Sequence, residues 1–505
     1  MEEEFKAEEA VSEAEKRFEL YRRTVSLFLG PAVFLILFLT PMPPLTAQSH
    51  SLAAVLGLVL IYWIGEPVPI PVTAVLGPVL CVMLGVAKSS VVFAPFAHPI
   101  IFLFIGSFML AEAMKAHRLD YRISLGILSL PWVGGSYLGV FIAIAAIPAA
   151  MSMWISDSAT TAMIYPITVG IAGAVSRLSS GATSRFSTGL LLTIAYAALI
   201  GGIGTPVGTP PNLIGIGMID KLAGVRIDFF QWMLMAVPIM IAMFIAMLVY
   251  MFAAHRPPGK EVSGLSAFIN EKRSELGGWT RGQKNTLAAF SIAAILWVTP
   301  GVALSLFGET SGIHGFLDAY LREEIVSLIA AMILFFTPVD WKERRFTLSW
   351  AEAVRIDWGT ILLFGGGLSL GGLMFSTGLA DAIGTALIQA TGVNTLWGIT
   401  AMATGLAIVA TEVTSNTATA NMLVPLMISI AKTAGTSPVP PAIGVCLGAS
   451  MAFMLPVSTP SNAIVYGSGR VPITSMIRAG AALDVVSFFV IMAGLRIMCP
   501  LLGLA

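Results

Sequence analysis

From Thr24 onward the chain alternates between apolar runs and short polar interruptions, and the run lengths predict membrane-spanning helices. Runs at 24–40, 51–64, 68–87 and 99–114 open the series, with Gly65-Glu66-Pro67 dividing the second from the third. Further runs at 187–204, 229–253, 286–307, 323–338, 358–377 and 440–456, and a last one reaching the C-terminus, bring the expected spans to eleven. Two regions, 137–176 and 396–433, follow another pattern: each is apolar on both flanks and polar in the middle, at Ser156-Asp157-Ser158 and at Ser415-Asn416-Thr417. An unsatisfied polar group in hydrocarbon costs several kcal/mol, so such a triplet must face protein, water or a ligand. Each region reads as a re-entrant hairpin with the triplet at its tip.

The two hairpins are copies in register. A hydroxyl stands four residues before the first Ser of each triplet, Ser152 in one and Thr411 in the other. That spacing puts both hydroxyls on one face of a helix end, where free carbonyls and the negative end of the helix dipole favour a cation. Each copy also has a companion downstream. Thr205–Asn212 reads TPVGTPPN and Leu455–Asn462 reads LPVSTPSN, identical at five of eight positions. Prolines at this density interrupt the predicted spans at 187–219 and 440–468 and free backbone carbonyls. Matched interruptions in two halves point to a transporter site near the bilayer midplane.

Charge then orients the chain. It has 505 residues, 56% hydrophobic and 11% charged, against about 25% charged in soluble domains. Arg17, Arg22 and Arg23 place the tail 1–23 in the cytoplasm by the positive-inside rule. Basic residues at 115–122, in the loop 254–285, at Lys342, Arg344, Arg345 and Arg355, and at Arg470 and Arg478 return the chain to that side. The first hairpin then enters from the cytoplasm and the second from outside, an inverted repeat preceded by an extra N-terminal span. The acidic-then-basic N-terminus is no cleavable signal, which leaves a multi-pass protein of the cell membrane. Zero net charge gives no reason to expect nucleic acid as a partner. Cys81, Cys446 and Cys499 read as inert buried thiols, and the five scattered histidines do not make a metal site. Glu66, Glu112 and Glu412 read as hydrogen-bonding groups between helices, and the glycines of 358–377 as close-packing positions.

The four ordered motifs SDSATTAMIYP, IGGIGTPVGTPPN, TEVTSNTATANMLVP and FMLPVSTPSNAIVYG, supported by YWIGEPVPIPVTAVLGPVL and DWGTILLFGGG, resemble the paired signatures of the divalent-anion:sodium symporter family. The resemblance runs from about residue 50 to the C-terminus. It implies an all-α homodimer in the lipid bilayer, each protomer with a scaffold domain and a transport domain that moves as an elevator. On that plan residues 24–98 and 229–338 are scaffold, 99–228 and 339–475 carry the two transport-domain repeats, and 476–505 form the last helix. The resemblance implies one sodium ion at Ser152, Ser156, Asp157 and a carbonyl near Gly208. It implies another at Thr411, Ser415, Asn416 and a carbonyl near Ser458. The anionic small-molecule substrate would meet Ser158, Asn416 and Thr417, with Thr209, Thr459 and Pro460 lining the pocket.

The residue chemistry agrees with that reading. Sodium is a hard cation served by hydroxyl, amide and carbonyl oxygens. Two or more such ions would offset a dianion without Arg or Lys, and neither occurs in the four motifs. One position departs from the family pattern: Asp157 stands where Asn is expected, and Ser158 where Thr is. Asp157 binds sodium more tightly, or carries a proton, or marks an altered cation site in an anion exchanger. The expected function is sodium-coupled symport of a divalent anion, a C4-dicarboxylate such as succinate, malate or fumarate. The alternatives are exchange or proton-coupled transport, with citrate or sulfate as the anion. A channel fits mirrored broken helices less well than alternating access. A membrane-embedded enzyme would need convergent acids, bases or nucleophiles, and a pump would need a phosphate loop.

Overall fold

The computed structural model describes residues 13–43, 45–133, 136–178, 183–257, 265–308 and 310–505. Residues 1–12 of the expected N-terminal tail lie outside this set. Its helices, in chain order, fall into blocks. The first holds α1 (Glu13–Leu39), α2 (Ala47–Gly65), α3 (Ile70–Met83) and the short α4 (Ser89–Phe93). A first repeat follows: α5 (Pro99–Ala116), α6 (Leu119–Leu128), α7 (Tyr137–Ser152), α8 (Asp157–Leu178), α9 (Thr183–Gly202), α10 (Pro210–Met218) and α11 (Phe229–Ala254). A middle block has α12 (Leu265–Ser274), α13 (Arg281–Phe307), α14 (Gly312–Tyr320) and α15 (Glu323–Phe336). It continues through an antiparallel ribbon, β1 (Pro338–Asp340) with β2 (Arg345–Phe346), to α16 (Trp350–Ala353). The second repeat has the same order as the first: α17 (Trp358–Ser376), α18 (Leu379–Thr391), α19 (Leu396–Thr411), α20 (Asn416–Thr433), α21 (Val439–Ala449), α22 (Pro460–Tyr466) and α23 (Ile473–Leu501).

Among the described residues, eight helices are long and apolar enough to cross a membrane, with α18 and α19, bent by 95°, a ninth if they count as one span. The other expected spans are built from shorter helices. α3 has 14 residues, starting after Pro69 and ending before Leu84, and α15 also has 14. The span expected over 440–468 is cut into α21 and α22. Side chains such as Ile36, Ile245 and Ile295 on α1, α11 and α13 are exposed and apolar, a surface suited to lipid. α9, by contrast, is enclosed by protein over nearly its whole length.

Two elements were not legible in the apolar pattern. α6 and α18 are short helices that begin at matching places after α5 and α17. Each is entered through a left-handed residue, Arg118 (φ 53°) in the first repeat and Gly378 (φ 77°) in the second. That conformation suits glycine and strains arginine. Elsewhere a glycine sets a close approach. A Cβ on Gly366 of α17 would sit 2.2 Å from the Ala74 carbonyl oxygen of α3, so the backbones approach closely there because no side chain intervenes.

Both central breaks come earlier than the prolines suggest: α9 stops at Gly202 and α21 at Ala449. The reason lies ten residues downstream. Asn212 Nδ2 donates to the carbonyls of Gly202 (3.0 Å) and Thr205 (2.8 Å). Asn462 Nδ2 donates to those of Ala452 (2.9 Å) and Leu455 (3.0 Å). In each break a side-chain amide thus takes over two backbone carbonyls that a continuing helix would have used.

Candidate functional site

The hairpins turn at residues 153–156 and 412–415, between α7 and α8 and between α19 and α20. Ser is the hinge residue in both. Ser415 Oγ accepts the Ala418 N–H at 3.1 Å and Ser156 Oγ accepts that of Ala159 at 3.4 Å, so each starts the second arm as an N-cap. α10 and α22 start at Pro210 and Pro460, where a missing N–H costs nothing and the ring fixes a helical φ.

Four helices therefore begin at one place. A cavity of about 370 Å³ is lined by Asp157, Pro210, Asn416 and Pro460, the first residues of α8, α10, α20 and α22. Its walls also include Ser156, Ser158, Gly208, Thr209, Ser415, Thr417, Ser458 and Thr459. Free N–H groups and the positive ends of helix dipoles from both repeats face this space, an arrangement that favours an anion.

The opposite helix ends lie behind it. α7 ends at Ser152, α9 at Gly202, α19 at Thr411 and α21 at Ala449. Ser152 and Thr411 are fully buried and do not line the cavity. Thr411 Oγ1 lies 2.7 Å from Asn416 Oδ1 and 2.6 Å from the Ala449 carbonyl oxygen. One hydroxyl proton cannot serve two acceptors at once, so this group has oxygen to spare for a cation. Ser152 Oγ is buried with no hydrogen-bond partner. A Cβ on Gly208 would fall 2.4 Å from the Gly202 carbonyl oxygen and 2.7 Å from that of Ser152. These are crowded, dehydrated oxygens of the kind that sodium satisfies. The buried Asn212 Oδ1 and Asn462 Oδ1 are likewise without donors.

Asp157 differs from its counterpart Asn416. Its Oδ1 accepts the Ser158 N–H at 2.7 Å and the Ser158 hydroxyl at 3.2 Å. Asn416 instead accepts from Thr411 and keeps its amide donors free.

Seven further residues outside the four motifs line the cavity: Phe108, Ala111, Glu112 and Lys115 of α5, and Ile356, Asp357 and Thr360 at the start of α17. Asp357 caps α17 through the Thr360 N–H (3.1 Å). Lys115 Nζ lies 2.6 Å from Glu112 Oε1. The absence of basic residues from the four motifs therefore does not extend to the cavity. The packing of α5 and α17 supplies these charges; Asp357 stands in the supporting stretch DWGTILLFGGG, whereas no local signal marks Glu112 and Lys115 as cavity residues. Glu66 and Glu412, in contrast, serve backbone and ion-pair contacts. Glu66 lies 3.7 Å from Arg22, and Glu412 accepts the N–H groups of Phe453 (2.6 Å), Met454 (2.8 Å) and Leu455 (3.1 Å).

Residues 21–504 match the family profile described as the sodium:sulfate symporter transmembrane region. The chain is similar to the sodium-dependent dicarboxylate transporter SdcS of Staphylococcus saprophyticus, 32% identical over 486 residues, which cover 94% of this chain and 91% of that protein. It is 31% identical, with the same coverage, to SdcS of Staphylococcus aureus strain USA300. Among solved structures, the YdaH transporter of Alcanivorax borkumensis shares the fold, with a TM-score of 0.52 at 15% identity over 96% of this chain and 97% of that one. These likenesses and the duplicated hairpins agree: the chain is a multi-pass membrane transporter, not an enzyme, and belongs to the sodium:sulfate symporter family of divalent-anion carriers.

Proposed function

We propose that the protein couples the inward movement of sodium to uptake of a C4-dicarboxylate such as succinate, malate or fumarate. The observation that carries this reading is the division of helix ends around one cavity. Four N-termini face the open space, and four C-termini with two buried hydroxyls lie behind it. Sodium at Ser152, Ser156, Asp157 and the Gly208 carbonyl, and at Thr411, Ser415, Asn416 and the Ser458 carbonyl, would brace the hairpin tips. The braced tips present Ser158, Asn416, Thr417, Thr209, Thr459 and Pro460 to the substrate carboxylates. The cations must bind before the anion site is complete, which links the two fluxes. The likeness to the SdcS sodium-dependent dicarboxylate transporters supports a dicarboxylate over sulfate or citrate. In this reading Asp157, which accepts two hydrogen bonds from Ser158, is a charged ligand of the first sodium.

The rest of the reading follows the same plan. The N-terminus is cytoplasmic, the protein resides in the cell membrane as a homodimer, and the transport-domain repeats 99–228 and 339–475, with their hairpins and broken helices, move against the scaffold helices as an elevator. The test is uptake of labelled succinate into proteoliposomes. A sodium gradient should drive saturable uptake in the wild type, and Asn416→Ala should abolish it. Uptake that is indifferent to sodium, or undiminished in Asn416→Ala, would count against the assignment.

A further inference from the structure

The cavity has two kinds of wall. The hairpin tips and the two breaks supply neutral oxygens, N–H groups and the Asp157 carboxylate; α5 and the start of α17 supply Glu112, Lys115 and Asp357. Lys115 is the one basic side chain on this wall among the described residues. It sits in the last turn of α5, where the helix dipole favours a cation, and its side chain is 39% exposed. Its partner Glu112 is three residues earlier on the same helix face, with 17% of its side chain exposed. The pair therefore borders open space and can be separated without unpacking a core.

A dicarboxylate has two charged ends. One end can meet the four helix N-termini at the tips. The other must lie elsewhere in the same cavity, which already holds the carboxylates of Asp157, Glu112 and Asp357. A second carboxylate placed among three others is repelled unless it meets a positive group. We propose that Lys115 receives the distal carboxylate of the substrate, exchanging Glu112 for it. This assignment rests on the transport reading above and deepens it by making Lys115 the residue that distinguishes a dianion from a monoanion. Glu112 then acts as a stand-in carboxylate that holds the ammonium in place while the site is empty. A compact substrate with two carboxylates satisfies both poles, whereas a monocarboxylate at the tips leaves the Lys115–Glu112 pair intact and gains nothing from it.

The experiment uses full-length protein in proteoliposomes, with labelled succinate uptake driven by sodium and unlabelled succinate and propionate as competitors. Lys115→Met should raise the succinate KM roughly tenfold, the factor that one partly screened charge-assisted hydrogen bond contributes, and leave kcat nearly unchanged. Lys115→Arg should restore most of the affinity, and propionate should compete equally well against wild type and variant. Glu112→Gln removes the competing carboxylate and should lower the succinate KM. An unchanged succinate KM in Lys115→Met, or equal losses for succinate and propionate, overturns the assignment of Lys115 and leaves sodium-driven uptake standing. A wild-type protein that takes up no succinate on a sodium gradient overturns the transport reading and this inference together.

Discussion

The two repeats solve one problem with different chemistry. Each must hold an unwound stretch inside the membrane: residues 203–209 between α9 and α10, and residues 450–459 between α21 and α22. Both use the amide of an asparagine, Asn212 or Asn462, in the same way. Beyond that they diverge. The first repeat closes its break with neutral groups: the Thr205 hydroxyl donates to the Met153 carbonyl, and Gly208 fits against two carbonyl oxygens. The second uses a carboxylate, Glu412, which gathers three successive backbone N–H groups. Glu412 stands where the first repeat has Met153. At the tips the charge is reversed: Asp157 in the first, the neutral Asn416 in the second. The repeats share geometry, while the placement of formal charge is particular to each.

Gly208 and its counterpart Ser458 give the sharpest test of this difference. A side chain at Gly208 would meet backbone oxygens that cannot move aside, so Gly208→Ala should shift the first break and reduce uptake by about two orders of magnitude, the usual result of displacing a binding geometry by an ångström. Ser458 already carries a Cβ, and its hydroxyl donates to the Leu455 carbonyl at 2.7 Å. Ser458→Ala should cost no more than that bond, a loss of about tenfold or less. Initial rates of succinate uptake compare the two, and equal losses would break the idea that the first break is the tighter one.

Stability should show the opposite asymmetry. Glu412→Ala leaves one buried and two half-buried donors without a partner, a loss of about 3 kcal/mol. Thr205→Val removes one hydroxyl bond from the first break and should cost about 1 kcal/mol. Thermal unfolding of the purified protein in detergent measures both, and a Thr205 variant as unstable as the Glu412 variant would contradict the contrast.

How much of this was legible in the sequence depends on where each signal resides. The tips and breaks stood out because Ser, Asn, Thr and Pro are conspicuous in an apolar run, and because each appears twice in register. The cavity wall from α5 did not. Glu112 and Lys115 look like the polar end of any span, and only long-range packing places them opposite Asn416. α6 and α18 were missed because they are short and lie at the ends of longer runs; Gly378 marks one start, whereas Arg118 gives no hint of its left-handed turn. The breaks were placed late because proline is visible at once, while the amides of Asn212 and Asn462 act ten residues back along the chain.

A milder effect than that of Gly208→Ala or Glu412→Ala is expected at the tips themselves. In Asp157→Asn the first tip acquires the amide that the second already has. If the carboxylate is one of several oxygens around a sodium ion, its removal should weaken sodium activation by about tenfold, with the maximal rate preserved and the pH dependence of uptake unchanged. A change in pH dependence instead would mean that Asp157 carries a proton. The reciprocal exchange should not be mild. Asn416 offers an acceptor to Thr411 and keeps its N–H donors for the substrate, so Asn416→Asp removes those donors and sets a negative charge beside an incoming dianion. Sodium titrations of both variants decide the matter. A first tip indifferent to both sodium and pH, or a second tip that tolerates a carboxylate, would show that the charge difference between the repeats has no part in coupling.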